Sequence, residues 1–161
     1  MLQGGSAELL LDVSSLIESP EVPQQFALEL AAEAASDSAQ SLEFLTPLSV
    51  FGSAVARVDS VFIRAEVRGR ISIPCRRCLK PIKRDIETTL EMDVSIGEEE
   101  RTVDLFPDVM AVAVAGISAN VLCSDDCRGL CPTCGANLND DPNHLCDQSD
   151  DRPRKLGDLL R

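Results

Sequence analysis

The chain has no tryptophan, no tyrosine and only five phenylalanines in 161 residues. Platforms that stack single-stranded bases are built mainly from aromatic faces, so an aromatic RNA-binding platform is not expected. Histidine occurs once, at His144. Nucleophilic catalysis of the Ser-His or Cys-His kind needs a histidine free to carry protons, and metal chemistry has a stronger claim on this one. A glycine-rich phosphate loop and a His-Glu-x-x-His pair are both missing, which removes the usual carriers of phosphoryl transfer and zinc-dependent hydrolysis. The acidic pairs read as strand surface or turns, so an enzyme is not expected. No apolar run reaches the roughly 18 residues of a membrane helix, and no membrane partner is predicted. The first basic residue is Arg57. A secretory signal opens on basic residues and a transit peptide is arginine-rich, so the start of the chain predicts neither.

Positive charge is also scarce, with 15 basic residues against 27 acidic ones and a net charge of −12. That balance argues against generic nucleic-acid binding, but the distribution is uneven. Residues 1–56 carry acids and no base, whereas Arg57, Arg64, Arg68, Arg70, Arg76, Arg77, Lys80, Lys83 and Arg84 fall between residues 57 and 84, opposed there by Asp59 and Glu66. A basic segment inside an acidic protein marks a candidate anion-binding surface.

What the chain does have is cysteine. The seven are Cys75, Cys78, Cys123, Cys127, Cys131, Cys134 and Cys146, and the single histidine stands two residues before the last of them. Eight soft ligands make two complete sets of four, the number that a closed structural zinc site needs. Without an export signal, so many thiols point to a reducing compartment, where they favour metal over disulfide. At this length the chain is most simply one domain with a core of its own.

Residues 61–73 place apolar side chains on odd positions, and residues 82–96 place them on even ones. Such period-two alternation predicts two half-buried strands. Closing them as a hairpin over residues 74–81, with both apolar faces on one side, sets Arg70 opposite Asp85, Arg68 opposite Glu87 and Arg64 opposite Glu91. Leu48, Val50, Ala54 and Val58 predict a preceding strand, and Glu8–Val13 and Phe26–Leu30 read as short strands separated by Pro20 and Pro23. Residues 31–41 read as a loop or linker, although their alanines suit a helical turn. From Asp104, a plausible N-cap, to Gly116 the apolar run predicts a buried helix with Pro107 in its first turn, or a buried strand. From Leu122 the chain is cysteine-rich and poor in core residues, so metal must order it. The tail, Arg154 to Arg161, reads as a short amphipathic helix. The expected fold class is α+β: mainly an antiparallel β-sheet or partly open barrel, with a buried helix and a C-terminal zinc-knuckle segment. Residues 1–121 form the β-rich core with its CxxC hairpin. Residues 122–161 form the Cys-rich zinc-binding segment and tail, packed as part of the same domain.

Two cysteines two apart in a tight turn bind one metal from the same side, and Cys75-Arg-Arg-Cys78 occupies such a turn between Pro74 and Pro81. The flanking arginines are expected to lower the thiol pKa. A redox CxxC normally opens a helix in a βαβ setting, which this one does not. Cys131-Pro-Thr-Cys134-Gly followed by His144-Leu-Cys146 is a zinc-knuckle arrangement. The preferred partition puts Cys75, Cys78, Cys123 and Cys127 on one ion and Cys131, Cys134, His144 and Cys146 on the other. The competing partition gathers the downstream ligands around one ion and leaves the hairpin pair free. No open coordination position is indicated, so both zinc ions are expected to be structural. The basic residues at the hairpin tip, Arg76, Arg77, Lys80, Lys83 and Arg84, are the candidate phosphate contacts for RNA.

The pattern Cys75-x-x-Cys78 after a strand, followed by Cys123-x3-Cys127 and the run Arg128-Gly-Leu-Cys-Pro-Thr-Cys-Gly-Ala-Asn-Leu-Asn139, resembles the YceD family of large ribosomal RNA subunit accumulation proteins. Asp12-Val-Ser14 and Asp104-Leu105 extend the resemblance over most of the chain. Two features depart from it: His144-Leu-Cys146 stands where Cys-x-Cys is expected, and Asp151-Arg-Pro-Arg154 where Asp-Pro-Arg is expected. The resemblance implies a non-enzymatic factor in biogenesis of the large ribosomal subunit, supporting accumulation of its rRNA, in the bacterial cytoplasm or the plastid stroma. Its partners would be large-subunit rRNA or a pre-ribosomal particle, or a ribosomal protein. The alternative reading is a zinc-stabilised protein–protein adaptor with no RNA contact, and a thiol oxidoreductase is a distant third.

Overall fold

The computed structural model describes residues 8–38, 42–97, 99–117 and 120–146. Its elements run β1 (Leu10–Asp12), α1 (Ser14–Glu18), β2 (Gln24–Leu30), α2 (Ala32–Ser38), β3 (Glu43–Phe44), β4 (Leu48–Ala56), β5 (Ser60–Pro74), β6 (Pro81–Ser95), β7 (Thr102–Asp104) and α3 (Phe106–Ala115). The tail helix expected from Arg154 lies outside the described residues.

The architecture is set by one long hairpin. Strands β5 and β6 are 15 residues each and pair along their whole length, from Ser60↔Ser95 to Pro74↔Pro81. At about 3.4 Å per residue, each is roughly 50 Å long if straight. β6 fills one edge of β5. The other edge is shared: β4 pairs with residues 61–68 and β3 with Ile71 and Ser72. β2 then pairs with the free edge of β4. All four pairings are antiparallel, and the described sheet stays open rather than closing into a barrel. A separate two-stranded sheet joins β1 to β7.

The hairpin register is the one expected from charge and pleat, with Arg70 opposite Asp85, Arg68 opposite Glu87 and Arg64 opposite Glu91. Each pair closes an ion pair, at 2.6, 3.0 and 3.0 Å respectively. These side chains are about half exposed or more, so water screens each pair and its contribution to stability is small. The stabilisation comes from the other face. There Val61, Ile63, Ala65, Val67 and Ile71 of β5 are buried with Leu48, Val50 and Ala54 of β4 and Ile86 and Leu90 of β6. α3 packs on β6 and buries Val109, Met110 and Ala113. Replacing a fully buried residue such as Leu48 or Ile63 by alanine costs about 2–5 kcal/mol.

Three local expectations need correction. Residues 32–38 form a helix, because Ala35 has a core position to fill. Val58 is fully exposed in the β4–β5 turn, which the Arg57 N–H closes by donating to the Ser60 carbonyl. Asp104 ends β7 rather than capping α3; Leu105 holds the cap position. The Asp104 carboxylate still accepts from the N–H groups of Phe106 and Leu9, both at 2.9 Å, and so ties the helix start to the first strand. α3 itself is the buried helix expected, with Pro107 in its first turn, and the competing strand reading falls away.

Candidate metal centres

The hairpin end and the C-terminal segment repeat one backbone device. In the hairpin, the Cys75 N–H donates to the Lys80 carbonyl and the Leu79 N–H donates to the Cys75 carbonyl. In the segment, the Cys131 N–H donates to Ala136 and the Gly135 N–H to Cys131. Both are Cys-x-x-Cys turns with the fifth residue left-handed, Leu79 at φ 61° and Gly135 at φ 77°. The turn aims both sulfurs of a pair in one direction. Gly129, at φ 78°, makes the other tight approach: a Cβ there would sit 3.1 Å from the Arg77 carbonyl oxygen. That closeness lets the Leu130 N–H reach the same carbonyl and ties the knuckle to the hairpin tip.

The eight ligand residues fall into two groups of four: Cys75, Cys78, Cys123 and Cys127, and Cys131, Cys134, His144 and Cys146. Within each group the ligand atoms lie within 4.8 Å of one another, and each group could hold a metal ion. Tetrahedral thiolates about 2.3 Å from zinc sit roughly 3.8 Å apart. The Cys75–Cys127 and Cys78–Cys123 sulfurs are separated by 3.8 and 3.5 Å, and Cys134 Sγ lies 3.2 Å from His144 Nε2. The donor sets therefore suit an ion of this size and softness.

Backbone amides prepare the charge. Cys75 is lowered to about 6 by the N–H of Cys78 first, then by those of Arg77 and Cys123, the last two 3.5 and 3.4 Å from its sulfur. Cys131 is lowered to about 6 by the N–H groups of Cys134 and Thr133. For Cys78 a backbone bond from Lys80 pulls downward, but burial and the neighbouring thiols outweigh it and push the group up to about 12. Burial, followed by Cys134 and Cys131, pushes Cys146 up to about 11. Each group thus pairs an easily formed thiolate with a thiol that ionises only when something else supplies positive charge, as a bound cation does. The arginine side chains expected to lower the Cys75 thiol are not what does it. Arg77 acts through its amide, and its guanidinium donates to the Cys127 carbonyl at 2.9 Å.

The five basic residues of the tip are all exposed but do not share one surface. Arg77 is engaged as described. The pleat puts Lys83 opposite Ser72 and Arg84 opposite the buried Ile71, so these neighbours face opposite ways, and Arg84 lines a cleft with Ile117 and Val121. Arg76, Lys80 and Lys83 remain at the tip, and no ion pair involves them among the described residues. Asn139 is a contributor that sequence reasoning missed. Its Nδ2 lies 3.4 Å from Cys127 Sγ while its Oδ1 accepts from the Arg128 N–H at 2.8 Å. The signal was its place at the end of the run Arg128–Asn139 that carries the family resemblance, which says nothing of a contact with Cys127.

Fold and clusters together define a class: an antiparallel-sheet protein in which a long hairpin and a C-terminal knuckle each help to present four ligands that could hold a metal ion. The sequence profile of the family described as "Large ribosomal RNA subunit accumulation protein YceD" matches residues 63–160, and the chain belongs to that family. The match takes in the hairpin from Ile63 onward, α3 and both clusters. Among curated proteins, an uncharacterized protein of Mycobacterium tuberculosis (strain ATCC 25618 / H37Rv) is 30% identical, over 65% of this chain and 59% of the relative. An uncharacterized protein of Mycobacterium leprae (strain TN) is 28% identical, over 65% of this chain and 57% of its own length. The match thus spans less than two thirds of these relatives' length. No solved structure matches. Among the described residues, no helix is long and apolar enough to cross a membrane.

Proposed function

We propose that this protein is a non-enzymatic factor in biogenesis of the large ribosomal subunit, supporting accumulation of its rRNA in the bacterial cytoplasm or plastid stroma. In this reading two structural zinc ions hold it, one on Cys75, Cys78, Cys123 and Cys127, the other on Cys131, Cys134, His144 and Cys146. Residues 122–161 have too little core to stand alone and belong to the same domain as residues 1–121, which the Arg77–Leu130 and Arg77–Cys127 hydrogen bonds support.

The observation that carries the RNA reading is the unpaired basic tip, Arg76, Lys80 and Lys83, mounted on the four-cysteine group at the end of a rigid hairpin. Among the described residues, Arg57, Arg64, Arg68 and Arg70 of the sheet are each matched by an acid. An acidic protein can meet RNA only locally, through phosphates, with a steep salt dependence. The test is co-sedimentation of the protein with large-subunit precursors, and retention of precursor rRNA by the purified protein. Replacing Arg76, Lys80 and Lys83 together by alanine is expected to weaken retention and flatten the salt slope. Retention equal to wild type at low salt would overturn the RNA contact. Failure to sediment with the particle would overturn the biogenesis role.

A further inference from the structure

The two Cys-x-x-Cys turns differ at the position where the backbone is left-handed. Gly135 holds it in the knuckle, and Leu79 holds it in the hairpin. Glycine adopts that conformation freely, whereas a Cβ is strained there. Leu79 gains nothing from burial in return, since it is 62% exposed. The turn needs a left-handed residue there but not a leucine, so a strained, solvent-facing leucine beside basic residues that make no ion pair among the described residues is a cost that burial does not offset. Beside it lies an open cleft of about 550 Å³, with Lys80 and Lys83 on one wall and Ser124, Asn137 and Asp140 among the residues lining the rest.

We infer that Leu79 is the apolar contact of the RNA-binding tip and that the tip recognises an unpaired nucleotide, in a bulge or loop, rather than a regular duplex. This rests on the RNA reading above. Cations alone grip any phosphate backbone and give no preference for structure. An apolar side chain between them finds a partner only where a base is unstacked, because the deep groove of duplex RNA is closed to side chains. Arg76, Lys80 and Lys83 hold the phosphates that flank the extruded nucleotide. Leu79 covers the face of its base. The adjoining cleft accepts the base edge, and the Asp140 carboxylate keeps phosphate out of it. In a chain without tryptophan or tyrosine, leucine takes the place an aromatic residue would fill.

The test is Leu79→Gly in the full-length, metal-loaded protein. Glycine suits the left-handed position, so the variant is expected to melt no lower than wild type and to keep its metal. Binding is measured against two RNAs of equal length, one fully paired and one with a single-nucleotide bulge, over a range of salt concentrations. Wild type should favour the bulged RNA. Leu79→Gly should lose about three- to tenfold on that RNA at every salt concentration, with unchanged slope and with duplex binding intact. Leu79→Met should restore the preference. Bulged-RNA affinity equal to wild type in Leu79→Gly would overturn the proposal, while the charge variant reports separately on the tip as an RNA site. If Leu79→Gly leaves naked RNA binding alone but releases the protein from precursor particles, Leu79 contacts a protein and the RNA assignment is wrong.

Discussion

The hairpin cluster and the knuckle cluster share a turn geometry but differ in what surrounds it. Three of the four hairpin-cluster sulfurs are buried, Cys75, Cys78 and Cys127. That cluster sits against Ile82, Leu122 and Leu130 at the end of the sheet. In the knuckle only Cys131 is buried, Cys134 is exposed, and His144 and Cys146 are partly so. One site is embedded in the fold, and the other is a loop closed on itself. The ligands differ accordingly. Four thiolates on a divalent cation leave an excess of two negative charges, and three thiolates with an imidazole leave one. The more negative set lies under the basic tip, where backbone N–H groups aimed at its sulfurs offset part of its charge. Removing the ion at the hairpin cluster should therefore disturb the tip and the link to the knuckle, whereas removing it at the knuckle should disturb mainly the knuckle.

The largest effects should come from taking one ligand out of each group. Cys75→Ser is expected to lower the zinc content from two ions per chain toward one and to loosen the hairpin tip together with residues 122–131. A structural zinc site supplies on the order of 10 kcal/mol of ordering free energy in small metal-dependent folds, so this loss should exceed that of any single core substitution. Cys134→Ser should also release one ion but loosen only residues 131–146, leaving β5 and β6 protected. Elemental analysis with amide hydrogen exchange reads both outcomes. If Cys75→Ser instead frees the knuckle ion, or the reduced wild-type protein folds without metal, the two-site description fails.

Acid should act on both sites through the same chemistry. Cys75 and Cys131 ionise at about 6, well below the ordinary thiol value of 9.0. Metal binds the thiolate, so affinity falls as pH drops through that value, by about tenfold per pH unit for each proton that must be displaced. In the metal-free protein the same two thiols stabilise the fold fully only above the unfolded value, and that contribution is lost as pH falls through about 6. Cys78 and Cys146, raised to about 12 and 11, act in the opposite sense. Their contribution is present below the unfolded value and is lost as pH rises through the raised ones. Chelator competition between pH 5 and 8 should show affinity rising with pH throughout, because Cys78 and Cys146 still give up a proton to the metal above neutrality, and rising more steeply below about 6, where Cys75 and Cys131 must be deprotonated as well. A slope that does not steepen below about 6 would show that these amide-stabilised thiolates are not ligands.

Asn139 tests how separate the sites are. It belongs to the knuckle loop, yet its side chain reaches the Cys127 sulfur of the other group. Partners of this kind orient a ligand and tune its charge, and their loss typically weakens metal binding by about 10–100-fold. Asn139→Ala should produce that loss at the hairpin cluster with a smaller change at the knuckle. Cobalt(II) titration can separate the two, because four-thiolate and three-thiolate-imidazole sites absorb differently. Equal weakening of both sites would mean a general loosening of the loop rather than a specific contact.

The sheet was legible in the sequence because two periodic signals agreed. The apolar alternation of residues 61–73 and 82–96 with the loop centred on residues 74–81 gives one register, the charge complement of Arg64, Arg68 and Arg70 agrees with it, and that register is found. Ligand spacing likewise pointed to two groups of four, and distance now separates them without overlap. What stayed hidden was carried by backbone geometry and by contacts distant in sequence. Nothing in an alanine-rich stretch says that Ala35 has a core position waiting for it. β1 lies inside the strand expected over Glu8–Val13, but the three-residue β7 is too short for alternation to register. The pKa of Cys75 depends on amides, one of them 48 residues away at Cys123, whereas reading along the chain put arginines next to it. The left-handed Leu79 is invisible in a pattern that registers only that a cysteine turn is followed by a leucine.

The smallest effect expected concerns the contrast between the paired arginines of the sheet and the free cations of the tip. Arg68 lies 2.7 Å from Glu66 and 3.0 Å from Glu87, and its guanidinium stacks on the Phe51 ring at 4.8 Å. All these groups are partly exposed, so water competes for each contact. The ion pairs and the stacking should together be worth about 1 kcal/mol. Arg68→Ala should therefore lower stability by about that much in urea unfolding, with zinc content unchanged. Its charge is already matched by two carboxylates, so it has little left for a phosphate. RNA retention should change by less than about twofold, and the slope against salt, which counts displaced counterions, should stay that of wild type. A loss of RNA binding as large as that of the Arg76, Lys80 and Lys83 variant would move the interface from the tip to the sheet face. The pairing of charge across β5 and β6 would then be a resting state that RNA displaces, not the neutral surface it is taken to be here.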